Sequence, residues 1–306
     1  MLDTVTLGIG ETGIPGAKGL QDQGWDFGTW RSARDGSFNA WATFQLSGVA
    51  LKYFAGHDWI SATCSLPKLL RGENASVLPW DQCRAALECV VSEARNATGV
   101  RLPPLDTWVF SRVDPVWAWG VEPGPYLTAL RTATLPRCDA VDYLGSGLAW
   151  RSTGKRVRAR VYDKRRETGH DVDLPLRVEA EVRPRKQVWR LGGVRVDGRV
   201  GAWDGATAAG IVEGVVHGLG LDRPIVSRLQ ARQVLIDTYG QRQGINTYRA
   251  LLDALDCGGW HVLGQSPDTV RRHLRRLRQA GVSGVAPEHE LPALRLLRSC
   301  PMSHVA

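Results

Sequence analysis

A tyrosine standing among cations, and two glutamates two residues apart, are the groups in this chain whose types and spacing could do chemistry. In Arg156-Val-Arg158-Ala-Arg160-Val-Tyr162-Asp-Lys164, an extended strand would place Arg156, Arg158, Arg160, Tyr162 and Lys164 on one face and Val157, Ala159 and Val161 on the other. A phenol, with a pKa of about 10, is a poor nucleophile until a nearby cation lowers that value or a base takes its proton. In Leu176-Arg177-Val178-Glu179-Ala180-Glu181-Val182-Arg183, the apolar side chains face one way and Arg177, Glu179, Glu181 and Arg183 the other. Two carboxylates then share a polar face, roughly 7 Å apart along the strand. Asp114, at the end of a strand-like run over 107–113, adds a third hard oxygen donor. Such carboxylates suit Mg²⁺ or Mn²⁺, which binds phosphate and stabilises charge developing on it. The combination suits tyrosine attack on a phosphodiester. The same residues also allow a purely structural arrangement, with Glu179 and Glu181 in cross-strand salt bridges to the arginine row and Tyr162 an ordinary strand tyrosine.

The charge distribution points to a polyanionic partner. The chain has 306 residues with net charge +8, and all but six of its 39 cations are arginine. Residues 151–200 alone carry 15 cations against 7 anions, whereas residues 1–150 are net acidic. A basic stretch that concentrated is what nucleic acid attracts. Other classes are disfavoured. The six cysteines form no Cys-x-x-Cys pair, so neither a zinc module nor a disulfide framework is indicated, and reduced thiols in the cytoplasm are expected. The opening MLDTVTLGIGETG lacks the basic region of a signal peptide, and the longest uncharged stretch, 36–51, is too polar to span a membrane. The seven histidines include no His-Glu-x-x-His, which disfavours a histidine-rich metal site. Gly8-Ile-Gly10-Glu-Thr-Gly13 follows a strand-like Val5-Thr6-Leu7 but is interrupted by Ile14-Pro15-Gly16 and Gly19, so it reads as a loop rather than a dinucleotide site.

The elements that must position these residues follow from periodicity. Alternation over 38–46 predicts a half-buried strand, and apolar spacing of three and four over 80–98, stopped by Gly99, predicts a helix. A second helix is predicted over 125–135, and Pro115 is expected to end the strand that carries Asp114. Beyond residue 200 the pattern turns helical, with runs over 211–219, 229–239 and 246–257. A last helix opens at Ser266-Pro267-Asp268, turns Val270, Leu274 and Leu277 inward, and shows Arg271, Arg272, His273, Arg275, Arg276 and Arg278 outward. It resembles the second helix of a helix-turn-helix and is the best base-reading candidate, although a solvated basic helix accounts for it equally well. Of the 12 tryptophans, some could stack on melted bases, while Trp41, Trp108 and Trp117 are expected in the core. The fold class is α+β: a mostly antiparallel sheet domain over 1–200 and a helical, helix-turn-helix-like domain over 201–306.

Five segments, in order, resemble the filamentous-phage and related plasmid replication initiators of the gene II/X family. They are Met1-Leu-Asp-Thr-Val-Thr-Leu7, the Ser65-Leu-Pro-Lys68-Leu-Leu-Arg71-Gly-Glu-Asn74 turn with Lys68 and Arg71 exposed, Ser111-Arg-Val-Asp114, Arg160-Val-Tyr162-Asp-Lys164-Arg-Arg-Glu167, and Leu176-Arg-Val-Glu-Ala-Glu181. The resemblance covers residues 1–200, and 225–283 more loosely. It implies a rolling-circle initiator of the bacterial cytoplasm that recognises a double-stranded origin, nicks one strand, stays joined to the 5′ phosphate and leaves a 3′ hydroxyl primer. By the same resemblance Tyr162 is the nucleophile and Lys164 its cationic neighbour. Asp114 and Glu179, with Glu181 as a third candidate, are metal ligands for Mg²⁺ or Mn²⁺. Arg156, Arg158, Arg160 and Arg177 would hold the phosphate backbone, and Arg271, Arg272, Arg275 and Arg276 would contact DNA from the base-reading candidate helix. Host helicase and polymerase are implied partners, and a homodimer is among the assemblies allowed. A second attack would need another subunit, water, or one of Tyr53, Tyr126, Tyr143, Tyr239 and Tyr248. Two rival readings use the same residues: a non-catalytic, sequence-specific DNA-binding regulator, and a metal nuclease in which water attacks.

Overall fold

A computed structural model describes residues 1–31, 38–135, 138–152, 157–183, 189–191, 194–196, 198–282, 284–286 and 289–296. In chain order the elements are β1 (Leu2–Gly10), α1 (Ala17–Gln21), β2 (Asp26–Arg31), β3 (Phe38–Leu46), β4 (Val49–Phe54), β5 (Trp59–Ser65), α2 (Leu66–Arg71), α3 (Trp80–Thr98) and β6 (Val109–Trp119). They continue with α4 (Pro123–Leu130), β7 (Cys138–Tyr143), β8 (Gly147–Ser152), β9 (Val157–Asp163), α5 (Lys164–Thr168), β10 (Leu176–Val182), β11 (Trp189–Leu191) and β12 (Val194–Val196). Three helices follow: α6 (Gly205–Gly218), α7 (Arg228–Asp256) and α8 (Pro267–Gln279). The fold is α+β with antiparallel sheet. It divides into two compact units, residues 1–116 with 181–210 and residues 117–180 with 211–306. Among the described residues, no helix is long and apolar enough to cross a membrane.

In the first unit the strands run in the order β2-β3-β4-β5-β1-β6. Strict alternation puts Val5, Leu7, Ala42, Leu51, Tyr53, Ile60, Ala62 and Cys64 in the core. Helix α3 contributes Cys83, Ala86, Leu87, Val90, Val91 and Ala94, the stripe its sequence spacing predicts. It closes on Gly99, whose φ of 66° and N–H bond to the Arg95 carbonyl at 2.9 Å form a left-handed cap.

Two expectations are corrected here. Strand β6 does not stop at Pro115. The β1–β6 register shifts between the Val5–Val113 and Leu2–Pro115 pairs, and the next ladder bond comes from Val116 N–H to the Met1 carbonyl at 2.8 Å. A proline that falls at such an irregularity removes no ladder donor, so the strand runs on. Trp108 is fully buried as expected, but Trp41 is half-buried, because it lies on the strand face opposite Ala42. Trp117 is likewise half-buried.

In the second unit the strand order is β10-β9-β8-β7. Two indoles tie down the turn after α4: Trp150 Nε1–H donates to the Ala133 carbonyl at 2.9 Å and Trp260 Nε1–H to the Thr132 carbonyl at 2.9 Å. The predicted helix over 125–135 is shorter and earlier, since Pro123 starts it and Arg131 caps it. The two runs 229–239 and 246–257 join as α7, kinked at Gly240 (φ 73°, ψ 165°) and opened by a Ser227–Gln230 capping box. Helix α8 begins on the expected Ser266 cap.

Leu87→Ala should cost about 2–5 kcal/mol in urea unfolding, because a fully buried leucine leaves a cavity. Glu88→Ala, one residue along on the exposed side, should change it by less than about 0.5 kcal/mol.

Candidate active site

The second unit holds a buried ionic cluster around Tyr162. The Tyr162 hydroxyl donates to Glu179 Oε2 at 3.1 Å, and the Arg160 guanidinium pairs with Oε1 of the same carboxylate. Tyr162 is 1% exposed and Glu179 3%. Taking a carboxylate and a guanidinium this far out of water costs several kcal/mol per ion unless each is closely paired, so this pair is tied to its partners. Arg160 Nη1 also donates to the Tyr143 hydroxyl at 3.2 Å, and that hydroxyl lies 3.4 Å from Glu167 Oε1. The Tyr143 and Tyr162 rings stand 5.4 Å apart. Gly147 lies between them in the ladder, paired with Tyr143 on β7 and Tyr162 on β9. Having no side chain, it lets the two rings meet across the middle strand. Burial raises the Tyr143 pKa, against the lowering pull of the Arg160 guanidinium.

The cation row is therefore not laid out as alternation predicts. Arg156 lies outside the described residues, and Arg158 is placed only by its backbone, opposite Arg151. Lys164 is not on the strand: Asp163 caps α5, accepting from Arg165 N–H at 2.9 Å, and Lys164 is the first helical residue. Its ammonium is buried, pairs with Glu167 and stands 5.9 Å from the Tyr162 ring centre. Strand β10 is buried at every position. Its polar face is not a solvent face, and Arg177, expected on DNA, is 0% exposed. Polar alternation marks a solvent face only when counter-charges do not cover it, and here they do.

Asp114 and Glu181 belong to the first unit, where Arg112 reaches both. Its Nε–H donates to Asp114 Oδ1 at 3.0 Å, and its Nη2 lies 3.6 Å from Glu181 Oε2. Arg183 adds a bond to Glu181 at 2.9 Å. These carboxylates are donors of the kind Mg²⁺ and Mn²⁺ prefer, and each already carries an arginine. Among the described residues, no group of three metal-binding side chains is gathered.

No protein-family model matches the chain, and no curated protein matches it. Among solved structures it is similar to a rolling circle replication initiator protein from Geobacillus stearothermophilus, at 15% identity and a TM-score of 0.30. The similarity covers 60% of this chain and 73% of that one.

Sequence reasoning gave Glu167 and Arg112 no role and named Tyr143 only among five tyrosines that could supply a second attack. The strand pairing of Gly147 with both Tyr143 and Tyr162 is what brings Tyr143 to the cluster, and the sequence alone does not show it. On α8, Arg271, Arg272 and Arg275 are exposed and Arg276 is half-buried, 3.5 Å from Thr247 Oγ1. His273, expected outward, is only 8% exposed and stacks on Trp260. Burial, and then Arg276 and Arg272, hold its pKa below the usual value. A cleft of about 500 Å³ between α7 and α8 is lined by Arg242, Arg249, Arg272 and Arg276. Two of these arginines come from α7, which the sequence did not single out.

Two outcomes follow. Glu179→Gln leaves the Arg160 charge without its counter-ion and should destabilise the protein by about 3 kcal/mol in denaturant titration. His273 resists protonation when folded, so its contribution is complete above the unfolded pKa of about 6.5 and is lost as pH falls toward the lower folded value. The melting temperature of His273→Phe should therefore fall less than that of the parent on acidification across this window.

Proposed function

We propose that this chain is a rolling-circle replication initiator that nicks one strand of a double-stranded origin through Tyr162. The observation that carries the reading is the Tyr162 hydroxyl bonded at 3.1 Å to a carboxylate whose other oxygen is held by Arg160. That is a nucleophile, a base and an orienting cation in sequence, the arrangement that activates a weak oxygen nucleophile. In the reaction, the phenolic oxygen attacks phosphorus as its proton passes to Glu179. The bond from phosphorus to the 3′ oxygen breaks, the 5′ phosphate stays on Tyr162, and the released 3′ oxygen takes a proton to become a primer hydroxyl. The Tyr143 ring beside Tyr162 must swing aside to admit the phosphate, because Tyr162 is almost wholly covered. Lys164 lies close enough to bias the charge around the phenol.

Tyr53 is pushed up to about 12, by burial and then by the Asp58 carboxylate, and Tyr126 is raised by burial. Mg²⁺ or Mn²⁺, where the reading calls for it, would be held by Asp114 and Glu181 of the first unit in competition with Arg112 and, when bound, would neutralise charge on a phosphate, while both oxygens of Glu179 are taken by Tyr162 and Arg160. Arg271, Arg272, Arg275 and Arg276 would grip the duplex backbone, giving an affinity that falls steeply with salt. In this reading the protein acts in the bacterial cytoplasm, with host helicase and polymerase extending from the primer, and a second subunit is one source of a second nucleophile.

Tyr162→Phe should bind supercoiled origin DNA as the parent does but neither open nor relax it; relaxation by this variant would refute the assignment. Chelating the divalent ions with EDTA should stop opening by the parent within the same assay, and Mg²⁺ should restore it. Opening at an unchanged rate in EDTA would remove the metal from the scheme.

A further inference from the structure

The outward face of the first unit's sheet carries a row of aromatic rings that neither the core nor the tyrosine cluster uses. Pairing registers align Gly28 on β2, Trp41 on β3, Phe54 on β4, Trp59 on β5 and Gly10 on β1 in one line across five strands. The glycines are what let the indoles lie flat. A Cβ at Gly28 would sit 2.3 Å from Trp41 Cζ2, and one at Gly8 would sit 2.7 Å from Trp59 Cε2. Each tryptophan thus rests on bare backbone instead of standing up between side chains. This gives a role to Gly8 and Gly10 of the glycine-rich opening segment, which is followed by no phosphate-binding helix.

The row is open and cationic. Trp41, Phe54 and Trp59 are half-buried, and Trp30 on the same face of β2 is 50% exposed. Lys52 Nζ lies 4.9 Å from the Trp41 ring centre and 5.0 Å from that of Phe54. The turn joining Phe54 to Trp59 is braced from below. The Asp58 carboxylate accepts from Thr12 N–H at 2.8 Å and from the Tyr53 hydroxyl at 3.1 Å, holding Asp58 in a left-handed conformation (φ 39°) that non-glycine residues seldom adopt. A rigid run of flat aromatic faces interleaved with an ammonium matches unstacked bases on a phosphate chain. A duplex hides its base faces and offers such a surface nothing to stack on.

We infer that this face binds single-stranded DNA, with bases stacked on Trp41, Phe54 and Trp59 and a phosphate on Lys52. The inference rests on the reading of the chain as a DNA-nicking protein, since it supplies a resting place for the strand that nicking frees, but it needs no tyrosine chemistry. The test is fluorescence anisotropy of a labelled oligothymidylate of about 16 nucleotides with the full chain. Trp41→Ala and Trp59→Ala should each weaken binding roughly tenfold, while Trp41→Phe and Trp59→Phe keep most of it. Gly28→Ala, which only tips the Trp41 ring, should weaken it as well, and a duplex of the same length should compete poorly. Glu88→Ala, on the exposed side of α3, should bind as the parent does. Unchanged affinity in both alanine variants, or equal competition by duplex, overturns the platform whether or not the protein nicks. Loss of affinity in the alanine variants upholds it even if no covalent adduct ever forms.

Discussion

The buried carboxylate of Glu179 governs the chemistry of the second unit. A negative charge held at 3% exposure must be answered locally, and it is answered by a guanidinium from β9 and a phenol from the same strand. Because Arg160 and Tyr162 are two residues apart on β9, one strand face delivers both partners to one carboxylate. The cost of desolvating the pair is offset only in that geometry, so it fixes the position of the hydroxyl as well as its bonding. Lys164 and Glu167, one turn of α5 away, repeat the pattern with an ammonium. A proton on Tyr162 has an acceptor already aligned, and no side chain needs to rearrange to receive it.

The first unit solves a different problem. Its core face is conventional, with α3 supplying an unbroken apolar stripe, while its outward face is left aromatic and half-open. Large rings at a water boundary are retained at low cost when they lie flat, since one face stays in contact with the sheet. Three glycines make that possible here. The two units thus differ in their physics: desolvated charge in one, exposed π-surface in the other.

Much of this could be read from the chain. The α3 stripe, the Gly99 stop and the Ser266 cap were visible because spacing of three and four and capping chemistry are local signals. The shared face of Arg160 and Tyr162 and that of Glu179 and Glu181 followed from a period of two, and the Arg160–Glu179 ion pair was among the arrangements this allowed. What was not visible depends on partners distant in sequence. Polar alternation in β10 suggested solvent, yet Arg177 is buried, because which charges cover a strand is not written in that strand. Pro115 suggested an end, but the bulge that accommodates it lies partly in β1. His273 followed the outward arc of α8 in sequence and was turned to Trp260 by packing. Tyr143 was one tyrosine among several until the ladder placed Gly147 between it and Tyr162.

The central claim is that a particular phenolic oxygen becomes bonded to DNA. The most direct measurement is to incubate the protein with supercoiled origin DNA and Mg²⁺, isolate the SDS-resistant adduct, digest it, and identify by mass spectrometry the peptide that carries the nucleotide. The expected result is a phosphodiester-linked nucleotide on Tyr162, at the 5′ end of the cut strand. An adduct on another residue, or nicked DNA with no protein attached, would contradict it.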